Sequence, residues 1–232
     1  MKRQYWAVLV VSLSILSGGR ESLSAPCWGN KMPQRGEFFL GVEVHNLFKR
    51  YLADEYGKVR SFQQFFLLSY GIKKWLSIDL KGGGGYIKQR PVTSCEVDYP
   101  TGFSGGYGFR IKFYHNPITK TEAVLGFQHI SVHPKKIYLT GEKNKAVLDN
   151  WQLSFLLSKR ILNLTPYCGM KWSRVDYIHW QNEERKRKKS DLTKSVGVVM
   201  GVNLPLTEKS WVNLEFHCCE EEALSLAFIF KG

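Results

Sequence analysis

Apolar and polar residues alternate through most of the chain, most sharply at its end. Val212, Leu214 and Phe216 alternate with Asn213, Glu215 and His217. After Glu220, Glu221 and Glu222 the pattern resumes, with Leu224, Leu226, Phe228 and Phe230 set against Ser225, Ala227 and Ile229. A period of two marks strands with one apolar face. Eight earlier segments read the same way: 37–45, 63–71, 75–87, 105–115, 121–132, 147–157, 163–177 and 195–204. In the first, Phe38, Leu40, Val42 and Val44 oppose Glu43 and His45. In the fourth, Tyr107, Phe109, Ile111 and Phe113 oppose Gly108, Arg110, Lys112 and Tyr114. Phe65 and Leu67 blur the second, where both faces read as apolar. Pro166 cannot donate to a ladder and belongs near a strand end. The Gly82–Gly85 run allows a bend or the close approach of a bulky neighbour, and no Lys-Ser/Thr follows it as a phosphate loop requires.

The ten strands are joined by connections that alternate in length. Short ones are expected at 72–74, from 116–117, at 159–160 and at 206–209, and long ones at 46–60, 88–101, 133–145 and 177–192. Only the last turn, at Glu220–Glu222 in the sequence, breaks the rule. Tyr70, Trp75, Trp211 and Phe230 fall at the short-turn rim, and Trp172 and Tyr177 near the opposite one. Aromatic belts of this kind sit at the two interfaces of a membrane.

No later segment holds ~18 consecutive apolar residues, so no membrane helix is expected. Lys2 and Arg3, the apolar run at 7–16 and the small residues after it predict a signal peptide, with cleavage after Ser24 or Gly19. Pro26 before Cys27 spoils a lipid-attachment box. The expected organisation is a signal peptide at 1–24, a periplasmic segment at 25–35 and one β domain at 36–232. Aromatics at 14% and 21 glycines suit an all-β chain. The formal charge of +13 favours an anionic neighbour for an exported protein, and nucleic acid is not expected. Five cysteines give no even disulfide framework and match no zinc spacing, so neither metal nor cofactor is expected.

The closing hairpin and its aromatic end resemble the last strand of small bacterial outer-membrane β-barrels, a porin-like superfamily. Lys231 and Gly232 follow Phe230 here, where the family commonly ends on the aromatic residue. The resemblance implies an up-and-down antiparallel transmembrane barrel of about ten strands, with eight as the next count. It also implies a place in the outer membrane, contact with its lipids and lipopolysaccharide, and recognition of the last strand by the barrel-assembly machinery. A structural, surface-binding or weak-pore role follows. Alternation by itself also allows a soluble periplasmic, lipocalin-like barrel with the same apolar face turned inward.

Several residues carry possible chemistry. The lumen of a membrane barrel would hold Glu43, Asp79, Lys81, Arg110, Lys112, Glu122, Lys171 and Glu215, and opposite charges there pair and fill a narrow interior. His129 and Ser131 share the lipid-ward face with Leu125 and Phe127. That His-x-Ser pair resembles the pair of outer-membrane lipid A 3-O-deacylases, which implies a Ser nucleophile and a His base, with Glu142 as the orienting acid. Val132 stands where that family places Asn. Omptin proteases are ten-stranded too, and Asp98, Asp149, Asp176 and His179 are the matching rim candidates. Arg185, Lys186, Arg187, Lys188 and Lys189 form a basic run on an expected outer loop, suited to the phosphates of lipopolysaccharide.

Overall fold

The computed structural model describes residues 29–53, 56–182, 184–190 and 192–232. The expected signal peptide and Cys27 lie outside them. Twelve strands follow one another: β1 (Phe38–Tyr51), β2 (Lys58–Lys73), β3 (Leu76–Arg90), β4 (Val97–Asn116), β5 (Thr121–His133), β6 (Ile137–Leu139), β7 (Glu142–Lys159), β8 (Thr165–Gln181), β9 (Glu184–Lys189), β10 (Val196–Pro205), β11 (Ser210–Cys218) and β12 (Glu222–Lys231). They form one sheet in which β7 also pairs with β8. Ten antiparallel strands therefore close a ring, and β6 and β9 extend it at one end. The seam joins first strand to last, from Phe39 opposite Lys231 to Lys49 opposite Glu222. A closed sheet has no unpaired edge, the condition for exposing strands to lipid.

The apolar face points outward. Phe38, Val42, Val44, Phe66, Leu80, Phe109, Leu153 and Phe228 are all exposed, while Glu43, His45, Asp79, Lys81, Arg110 and Glu215 are buried inside. This inversion excludes the lipocalin-like alternative, which needs the apolar face inward. Both blurred positions resolve: Phe65 and Leu67 face the lumen and form a small cluster with Ile130 and Ala227. Phe65 pairs across from Gly83, where a Cβ would lie 1.9 Å from the Gln64 carbonyl oxygen, so the glycine run permits close strand contact. Pro166 is the second residue of β8, where its missing N–H does least harm.

Two aromatic placements change. Trp211 points inward, packed edge-on against Phe39 at 4.8 Å, and Tyr177 is also buried in the lumen. Each sits on the polar parity of its strand, so alternation overrides belt chemistry. Tyr70, Trp75, Trp172 and Phe230 do face outward. The long connections are also shorter than expected, because their flanks continue as strand. β1 runs on through a bulge after Leu47 to Tyr51, and β8 runs on to Gln181. The basic run at 185–189 is not a loop at all: it is β9, paired with β8 from Asp176 opposite Lys189 to Gln181 opposite Glu184.

β10, β11 and β12 stop short at the hairpin end. Above them β9 continues the wall and meets β1 directly, through a Leu52–Ser190 bridge and an Ala53 N–H bond to the Lys189 carbonyl at 3.0 Å. Arg50 reinforces this junction, donating to the Ser173 carbonyl at 3.0 Å and the Ser190 hydroxyl at 3.1 Å. The ring is thus ten strands wide below and narrower above.

Leu80 is five residues up from Trp75, and at ~3.3 Å per residue with a ~40° tilt it lies ~13 Å above that rim, near mid-belt. Leu80→Arg should cost about 2–4 kcal/mol when folding is measured by denaturant titration in lipid vesicles. Val92→Arg, in the exposed connection between β3 and β4, should be near neutral. Equal costs at both positions would contradict the lipid belt.

Candidate functional site: the filled lumen and the outer wall

The lumen is filled in three layers. At the terminal end, residues 29–32 enter it. The Gly29 N–H reaches Glu215 at 3.3 Å. The Asn30 amide donates to Ser158 at 2.7 Å and accepts from Asn203 at 2.7 Å. Arg110 donates to the Lys31 carbonyl at 2.7 Å. The Lys31 ammonium rests 3.5 Å from the centre of the Trp211 ring. Part of the expected periplasmic segment is therefore a plug.

Six of the lumen charges read from the sequence, Glu43, Asp79, Lys81, Arg110, Lys171 and Glu215, are buried in the middle layer, while Lys112 and Glu122 are half-buried at the terminal end. Glu43 and Lys81 pair at 3.1 Å, Asp79 takes two bonds from Arg110 at 2.7 and 2.9 Å, and Lys112 meets Glu122 at 2.9 Å. Glu215 accepts from Tyr167 at 2.7 Å and contacts His217 at 2.8 Å. Lys171 meets Glu220 at 2.9 Å, His217 at 2.9 Å, and Glu221 as well. Buried pairs of this quality offset desolvation only because both partners and their further hydrogen bonds are present.

Glu220 and Glu221 were read as a polar turn, yet both are fully buried. Nothing in their local pattern marks this. The turn folds into the lumen because Gly197 leaves room: a Cβ there would lie 1.2 Å from a Glu220 carboxylate oxygen. His217, Glu220 and Glu221 have ligand atoms within 4.8 Å of one another, a spacing suited to a metal ion. The Lys171 ammonium contacts all three and supplies the positive charge itself.

The third layer, at the hairpin end, is apolar. Leu47, Val59, Ile87, Tyr99, Val132, Leu148, Val175 and Tyr177 converge there as one buried cluster. It occupies the lumen above the charges, as the segment at 29–32 enters it below.

On the outer wall, β5 presents His129 and Ser131 on the outward side, as expected. The Ser131 hydroxyl lies 2.7 Å from His133 Nε2 and also hydrogen-bonds Asp149 on β7, directly opposite in the ladder. His129 Nε2 is 3.6 Å from the same carboxylate, and its ring lies against Trp151, with centroids 4.0 Å apart. The acid of this group is Asp149. Glu142, assigned that role from the sequence, instead accepts a hydrogen bond from Gln181 at the hairpin end. Sequence distance hid Asp149, because only the β5–β7 register brings it to Ser131. Of the omptin-type rim candidates, Asp176 is buried against Arg174 and Arg187, Asp98 pairs with Lys88, and His179 contacts Tyr56.

The basic hairpin is ordered by its own partners. Arg187 pairs with buried Asp176, Arg185 lies 5.7 Å from the Trp180 ring centre, and Lys188 4.6 Å from that of Tyr56. Arg185 and Lys189 remain exposed.

Lys81→Met leaves the Glu43 carboxylate buried without its ammonium and should cost about 3–5 kcal/mol. The double variant Glu43→Gln/Lys81→Met should recover most of that loss in the same unfolding titration. Additive losses would show that the two side chains do not act as a pair.

Neither a protein-family model nor a curated protein sequence matches the chain. Among solved structures it is similar to the transport unit of the autotransporter AIDA-I from Escherichia coli, with TM-score 0.47 and 11% identity, covering 88% of this chain and 93% of that one. An outer membrane channel from Pseudomonas putida F1 gives TM-score 0.45 and 8% identity over 90% and 100% of the two chains. The translocator domain of the autotransporter NalP from Neisseria meningitidis gives 0.42 and 8% over 98% and 94%. With its apolar outer face, polar interior and first-to-last seam, this chain is a closed ten-stranded antiparallel β-barrel.

Proposed function

We propose that the protein is a closed, non-conducting barrel of the bacterial outer membrane that binds phosphorylated lipid headgroups at its outer rim. The observation that carries this reading is the filled lumen: a chain plug, a paired charge layer and an apolar layer occupy it in succession. A narrow barrel leaves little space beyond its own side chains. Short turns then face the periplasm and the β8–β9 hairpin faces outward, as in outer-membrane barrels generally. Exposed Arg185 and Lys189, with Lys186 beside them, meet the anionic surface there. In planar bilayers the purified protein should give no stable open channel, and large steady conductance would overturn the closed reading.

The triple variant Arg185→Gln/Lys186→Gln/Lys189→Gln spares Arg187, whose loss would strip buried Asp176 of a partner. It should keep heat-modifiable gel migration while binding lipopolysaccharide more weakly and with less salt dependence. Unchanged affinity and salt response would mean that the hairpin is only a solvated face.

A second reading has one specific support. The Ser131 hydroxyl touches both the His133 imidazole and the Asp149 carboxylate on the outer wall, with the expected base His129 on the far side of that carboxylate, and these are the constituents of an esterase. Val132 follows the serine, and the neighbouring backbone N–H groups belong to a ladder, which leaves no evident oxyanion donor. Incubation with lipopolysaccharide should therefore leave the lipid A mass unchanged. Loss of an acyl chain that Ser131→Ala abolishes would put the hydrolase reading first.

A further inference from the structure

The hairpin end of the barrel holds a cavity of about 550 Å³ above the apolar layer. Tyr99 and Tyr177 form its floor, their hydroxyls 3.5 Å apart. Tyr56 and His179 flank it: the His179 ring stacks on Tyr177, with centroids 5.6 Å apart and planes 14° apart, and its Nε2 lies 3.3 Å from the Tyr56 hydroxyl. Aromatic faces and hydroxyls thus line the cup.

Three amides line its side, and each is held in place by one bond. Gln89 donates to the Tyr56 carbonyl at 2.7 Å, Asn144 to the Glu142 carbonyl at 3.1 Å, and Gln181 to the Glu142 carboxylate. An amide so fixed keeps its carbonyl acceptor and a second N–H for a ligand. The charge of the lining is informative. The chain has 33 Lys and Arg, yet none is among the described residues that line this cavity. Its one carboxylate, Glu142, is bonded to Gln181. The lining itself carries no cation to pair with an anion, the nearest being Lys188 at the edge over the Tyr56 ring, and the surrounding basic surface disfavours a cation. The cup suits a neutral ligand with an apolar ring face and many hydroxyls, and pockets of this size with a few fixed polar groups bind small molecules.

We propose that this outer cup is a binding site for a neutral saccharide of one or two rings. The hydroxyls would bond the fixed amides while a sugar face lies on the tyrosine and histidine rings. The cup borders the basic hairpin, but its lining shares no residue with Arg185, Lys186 and Lys189, so the two readings fail independently.

The test uses the full chain folded in detergent micelles, with cellobiose as the probe in saturation-transfer NMR and glucose 6-phosphate as the charged comparison. Cellobiose protons should receive saturation, and glucose 6-phosphate should gain nothing from its phosphate. Tyr56→Ala and, separately, Gln181→Leu should each lower the transfer at least about fivefold. Gln181 is exposed at the rim, so its variant keeps the barrel wall intact, which heat-modifiable migration checks. The triple hairpin variant should leave the cellobiose signal unchanged. Absence of transfer to cellobiose, transfer that survives both substitutions, or transfer that requires the phosphate would each overturn the proposal.

Discussion

A sheet surrounded by lipid must satisfy every backbone N–H and C=O within itself, because hydrocarbon offers none a partner. The β1–β12 seam meets that demand here, and the rest of the molecule depends on it. Closure divides the two faces of every strand into an outside and an inside. Here the aromatic and aliphatic positions take the outside, and the alternate residues enter a confined interior. Polar groups there have no bulk water, so they must find one another.

The interior answers this demand layer by layer. Charges from neighbouring strands pair across short distances, as Glu43 does with Lys81 and Asp79 with Arg110. Where the wall lacks a matching strand residue, the chain brings one from elsewhere. The segment at 29–32 caps the lower lumen, and the β11–β12 turn sends Glu220 and Glu221 in towards Lys171. Arg50 anchors the point where three strands give way to β9. Above that junction the lumen residues become apolar, and the outer cup is built on them. A filled interior and a shaped mouth at the hairpin end are therefore parts of the same packing solution.

The sequence by itself determined the ten ring strands and the two faces of each, while the structure decided that the apolar face points outward. The sequence could do so because strand parity is a local property with a period of two. Phe109 and Arg110 declare opposite faces with no knowledge of their neighbours. Alternation was also right against aromatic-belt chemistry at Trp211 and Tyr177, which parity turns inward. The tertiary structure alone decided what depends on register and closure. Asp149 reaches Ser131 across the β5–β7 ladder from eighteen residues away. Glu221 reaches Lys171 only because a turn folds inward past Gly197, and the basic run became a strand because β8 extends far enough to pair with it. Local pattern sets the direction of a side chain, but which partner stands opposite is set by how the ring closes.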